Sequence, residues 1–111
     1  MTVTTALAKY REASVSGDVA LAWESLEHAH ILAQPRLGAH LRVHFAMLGF
    51  SITQRDPVEA AGQVLRLLLA PLGAATGRVP TGNIGRSNVS AFAPMAVPPG
   101  LQASNVEDQR P

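Results

Sequence analysis

The chain contains no cysteine. That absence removes disulfides, thiolate metal ligands and cysteine nucleophiles together, so any metal must be held by nitrogen and oxygen atoms. Charge is also sparse, with nine Lys+Arg against eight Asp+Glu in 111 residues and a formal net charge of +1. The arginines are scattered, and the basic patch that a nucleic-acid partner requires is missing. No basic segment followed by an apolar run opens the chain, so no signal peptide is read and the cytoplasm is the expected location. The most apolar stretch, VLRLLLAPLGAA, is broken by Arg66 and Pro71. It falls short of the roughly 20 residues that span a bilayer, so no membrane partner is expected.

What the chain does have is helical periodicity. Val3, Ala6, Leu7, Tyr10 and Ala13 predict a first helix over 3–15, which Gly17 ends. Asp18 is the expected N-cap of a second helix over 19–33, with Ala22, Leu26, Ala29 and Ala33 as its packing stripe. Pro35 stops it, and a third helix is expected from about Arg36 through Leu37, Leu41, Phe45, Leu48 and Ile52. Asp56-Pro57 then caps and opens a fourth, carried by Val58, Ala61, Val64, Leu65, Leu68 and Leu72 as far as Gly73. Gly38, Gly49 and Gly62 lie inside these helices at a cost of ~1 kcal/mol each relative to alanine, which points to close helix approach or a kink.

Beyond Gly73 the periodicity is lost in a stretch dense in Gly, Pro, Ser and Asn. The expected architecture is one all-α domain of two antiparallel helical hairpins with a long irregular C-terminal arm. The domain spans 1–98, with the arm (74–98) folded back because Val79, Ile84, Val89, Phe92, Met95 and Val97 are too apolar for a solvated tail. Residues 99–111 read as a flexible tail.

All four histidines fall between His28 and His44. Glu24 and His28 are four apart on the second helix and His40 and His44 four apart on the third, so each pair shares a face. In a tight hairpin closed at Gln34-Pro35, residues equidistant from the turn lie opposite. That sets Glu24 across from Phe45, and His28 across from Leu41, between His40 and His44. The expected metal ligands are therefore Glu24, His28, His40 and His44, a set suited to Zn, Fe, Mn, Ni or Cu. His30 lies about 200° round the helix from His28. It is assigned to the core or to a backing role, with Gln34 as its partner, and Glu27 is read as a solvated charge.

Two other readings use the same residues differently. Without a metal, His28 or His44 would be a general base assisted by Glu24, acting on a small anionic substrate. In the other, the histidines are incidental and the hairpins dock a protein partner. The arm bears on all three. Its segment TGRVPTGNIGRSNVS (76–90) is neither a Walker loop nor a dinucleotide fingerprint, and its glycines read first as turn residues. If it covers the histidine face, Asn83, Arg86 and Ser87 become the residues that hold a small anionic ligand. The glycine-containing helices and the apolar fourth helix suit a homodimer contact as well as an internal core.

Two resemblances accompany these readings. SGDVALAWESLEHAHILAQP is similar to the second helix of a tetratricopeptide repeat, which supports hairpin packing, although residues 36–72 do not repeat the pattern. The pairing of AWESLEHAHILAQPRLGAHLRVHFAML with LLLAPLGAATGRVPTGNIGRSNVSAF resembles an uncharacterised family of small bacterial helical proteins. The resemblance covers about residues 20–98 and includes Glu24, His28, His30, His40, His44, Gly82, Asn83 and Gly85. It implies a compact helical protein and assigns no activity.

Overall fold

Thr2 and Thr5 open the first helix with a reciprocal cap: the Thr2 hydroxyl accepts from the Thr5 N–H, and the Thr5 hydroxyl accepts from the Thr2 N–H. Gly17, at φ +80°, closes that helix in the left-handed conformation, and one residue later the Asp18 carboxylate accepts from the Leu21 N–H to start the next. The computed structural model describes residues 1–76, 83, 85–87, 95, 97, 98 and 101. Its helices are α1 (Val3–Ser16), α2 (Val19–Ala33), α3 (Leu37–Thr53) and α4 (Pro57–Thr76). Helix α1 packs along α2 and α3 along α4, and the two hairpins meet across α2 and α3. The all-α architecture of two hairpins is therefore the one expected.

Phe50 anchors the core, with the rings of Tyr10 and Trp23 edge-on to it at 5.5 and 5.2 Å. Leu26, Leu32, Val43 and Met47 are fully buried around it. Leu101 is buried in the same core and Val97 packs against it. The other residues of the expected 99–111 tail lie outside the described residues, as do most of those between 77 and 96.

The fourth helix differs from expectation in length and in orientation. Gly73 keeps helical geometry instead of stopping the chain, and α4 runs on to Thr76 with Pro71 inside it. The stripe Val58, Ala61, Val64, Leu65, Leu68 and Leu72 defines the helix, but it faces outward. The buried face of α4 carries Glu59, Gln63 and Arg66 together with Ala70. Helix α4 is thus inverted, with its polar side chains turned inward, and the reason lies in the site they serve.

Among the described residues no helix is long and apolar enough to cross a membrane.

Candidate metal centre

Three histidines converge on one point. Helix α2 contributes His30 from its buried face, and α3 contributes His40 and His44 from successive turns. The three Nε2 atoms form a near-equilateral triangle: His30 to His44 is 3.0 Å, His30 to His40 is 3.0 Å and His40 to His44 is 3.1 Å. His30 and His44 are buried and His40 is the most accessible of the three.

The protonation of two of these rings follows from the hydrogen-bond network. His30 Nδ1 lies 2.6 Å from the backbone carbonyl of Asn83, which can only accept, so Nδ1 carries the hydrogen and Nε2 a lone pair. Gln63 does the same for His44 through one more step. Its amide nitrogen donates to Glu59 Oε2 at 2.7 Å and to the Gly85 carbonyl at 3.0 Å, so the amide orientation is set and Gln63 Oε1 faces His44 Nδ1 at 2.7 Å. His44 therefore donates from Nδ1 and presents its own Nε2 lone pair. Two lone pairs oppose each other across 3.0 Å. A proton on His40 Nε2 serves one contact at a time and leaves that pair opposed, whereas a cation among the three nitrogens satisfies all of them. Nitrogens 3.0–3.1 Å apart have the spacing that would let each lie ~2.0–2.1 Å from one shared ion.

Burial keeps these imidazoles neutral. It pushes His40 down to about 4, helped by the neighbouring His44. Burial also lowers His30, well below the usual histidine range and with both neighbouring imidazoles adding to the effect, and it lowers His44 despite the opposing hydrogen bond to Gln63. Neutral imidazole is the ligating form.

Behind the histidines lies a closed ionic network that explains the inverted face of α4. Glu59 accepts from Arg86 Nε at 2.7 Å and from the Ser87 N–H at 3.1 Å in addition to Gln63. Burial alone would raise its carboxyl, but those hydrogen bonds outweigh it and hold Glu59 below the usual carboxylate range. Arg86 also reaches Glu27 at 3.3 Å and lies 3.7 Å over the Trp23 ring. Glu27 is accordingly half-buried and ion-paired, not solvated, and burial raises its carboxyl against the opposing pull of Arg86.

The arm is built into this site at close quarters. Gly85 sits at φ +84°, and a Cβ there would fall 2.5 Å from the His30 ring. Gly62 on α4 is equally tight, since its Cβ would collide with the Ser87 side chain. The close approach expected at Gly62 is thus to the arm.

The expected quartet is only half assembled. His40 and His44 come together as predicted, but Glu24 and His28 lie on the outer side of α2, 4.0 Å apart, with the Glu24 side chain 61% exposed. His30 takes the place assigned to His28, and its ring partner is the Asn83 carbonyl, not Gln34. The physical reason is the face of α2 that packs: Leu26 and Ala33 are buried, and His30 is four residues from one and three from the other. His28 is about 160° from Leu26 round the helix. Asn83, Arg86 and Ser87 do lie at the histidine face, but their described contacts are to protein groups: Asn83 backs His30, and Arg86 and the Ser87 N–H hold Glu59. Gln63 and Glu59 escaped the sequence reading altogether. Their signal was an i, i+4 polar pair, continued by Arg66, on the side of an otherwise uncharged helix opposite its leucines.

Residues 1–104 match the model of the family described as "Protein of unknown function (DUF3703)". The chain belongs to that family. No curated protein and no solved structure matches it. The family description assigns no activity, so the chemistry of this DUF3703 chain rests on its own side chains.

Proposed function

We propose that this protein binds a divalent transition metal ion through Nε2 of His30, His40 and His44. The supporting observation is the convergence of three Nε2 atoms, two of them turned inward as lone pairs by fixed acceptors at Nδ1. Oriented, hydrogen-bonded imidazoles of this kind are what metal ligation requires, and the partners that orient them matter nearly as much as the ligands. Three neutral nitrogens favour Zn, Fe, Mn, Ni or Cu over Mg or Ca. Solvent or an anionic ligand would complete the coordination shell.

The metal-free acid–base reading keeps Glu24 only beside His28, 4.0 Å away on the outer side of α2 and apart from the histidine cluster, whereas His44 Nδ1 faces the Gln63 amide instead. The docking reading loses its groove, because Asn83 and Gly85 lie against His30.

The test is metal analysis of untagged protein, followed by titration with Zn, Ni, Cu, Mn and Fe. About one ion per chain is expected in the parent and in His28→Ala, with loss in a His40→Ala variant that removes the least buried of the three and whose helical circular dichroism matches the parent. Uptake that depends on His28 and not on His40, or no uptake of any of the five metals, refutes the proposal.

A further inference from the structure

The inverted helix leaves an apolar face without a partner inside the chain. On α4, Val58, Ala61, Leu65, Leu68 and Leu72 follow one another at intervals of three, four, three and four residues, and all are exposed, Leu68 by 72%. Val64 flanks them. The only charged residues of α4, Glu59 and Arg66, are buried on the opposite side. On α3, which packs along α4, Phe45 is exposed by 62% and Ile52 by 63%, and Ile52 shares with Ala60 of α4 a groove that Arg55 and Asp56 also line. Between Phe45 and Ile52 lies Gly49, where an added Cβ would meet nothing within 4 Å. Nothing within the described residues makes use of this helix-interior glycine, and close approach of another backbone would.

We infer that this face is the contact of a homodimer in which the α3–α4 hairpins of two copies pack into a four-helix bundle. Three features favour a second copy as the occupant. The three-four spacing is the seam by which identical helices interlock knobs into holes, and Leu65 at its centre places a two-fold axis across α4. The absence of charge on the outer face of α4 means that a copy meets itself there without repulsion. A face ~30 Å long and two helices wide, at 8–10 Å per helix, presents roughly 600 Å² before side-chain relief, close to the ~800 Å² per partner of a stable interface. A membrane surface fits less well, because helices that lie on lipid carry Lys or Arg on their polar side and the polar side of α4 is turned into the protein.

Sedimentation equilibrium of the full chain, run from about 1 to 100 µM, tests this. A mass twice the 11.7 kDa of one chain is expected for the parent. Leu65→Lys/Leu68→Lys should shift the mass to that of the monomer across the range, a loss of at least 100-fold in dimer affinity, with helical circular dichroism unchanged because both side chains are exposed. Should that pair fail to fold, Leu68→Glu alone serves the same purpose. A parent that stays monomeric at 100 µM, a monomer that co-floats with anionic lipid vesicles, or a dimer that survives these substitutions would each overturn the inference.

Discussion

Adding one methyl group at Gly85 tests the candidate site at its tightest point. The new Cβ of Gly85→Ala would lie 2.5 Å from Cδ2, 2.7 Å from Cγ and 2.8 Å from Nε2 of His30, where ordinary contact begins near 3.4 Å. Either the imidazole retreats by about 0.9 Å or the arm lifts away. A ligand tolerates only about 0.2 Å of error in its bond to the metal, so the first route removes His30 from the triangle. The second removes the Asn83 carbonyl that orients the same ring. The first route leaves two histidines in place of three and the second leaves a third that is no longer aimed, so a loss of at least 10-fold in metal affinity, ~1.4 kcal/mol, is expected. The φ of +84° adds ~1–2 kcal/mol of backbone strain to the apo protein. Competition against a chromophoric zinc chelator reads the first quantity and urea denaturation the second. Zinc affinity within threefold of the parent together with an unchanged urea midpoint would refute the packing argument.

The acid limb of metal binding should lie unusually low: with His40 held near 4 and the other two imidazoles also depressed, occupancy in a zinc-buffered titration should persist to about pH 5 and fall away only towards pH 4. For the apo protein the sign follows from linkage. The unfolded chain binds protons at these histidines from about pH 6.5, whereas the folded chain protonates His40 only near 4 and His30 and His44 only below their ordinary range, so apo stability should fall as pH drops below about 6.5, which urea midpoints at pH 7 and pH 5 would show. Gln63→Leu removes the acceptor of His44 and a donor to Glu59 and Gly85, and should weaken zinc binding by roughly 10–100-fold while every metal ligand remains. Arg86→Met leaves Glu59 buried without its cation, and should cost about 3 kcal/mol, or roughly 12 °C in Tm, with much of it recovered in Arg86→Met/Glu59→Gln. Thermal scans of the two variants settle that point.

Helix number, caps and hairpin pairing could be read from the chain because their causes are local. Asp18 caps α2 and Asp56 caps α4 as their spacing to the following N–H groups dictates. The candidate site was half legible for a related reason. The i, i+4 pair His40 and His44 is a local pattern, and it holds. Choosing between His28 and His30 required knowing which face of α2 packs, and the stripe Ala22, Leu26, Ala29 and Ala33 already carried that information: His30 continues it and His28 opposes it. The counting rule for a tight hairpin does not contain that constraint. The backing network was beyond local reading, since Gln63 and Asn83 meet the histidines across 19 and 53 residues and Arg86 meets Glu59 across 27. For α4, a strong apolar period was visible, but periodicity states that a helix has two faces and not which one is turned inward.

The hydrogen bond from His30 to Asn83 bridges 53 residues. The two hairpins are closed by contacts near in sequence and can form early, whereas the arm must cross a long loop before its carbonyl reaches the imidazole. The aim of His30 is thus set late: a nascent chain halted before residue 83 would lack the carbonyl that holds its ring. On refolding, a cobalt absorption band should therefore trail the recovery of helical circular dichroism.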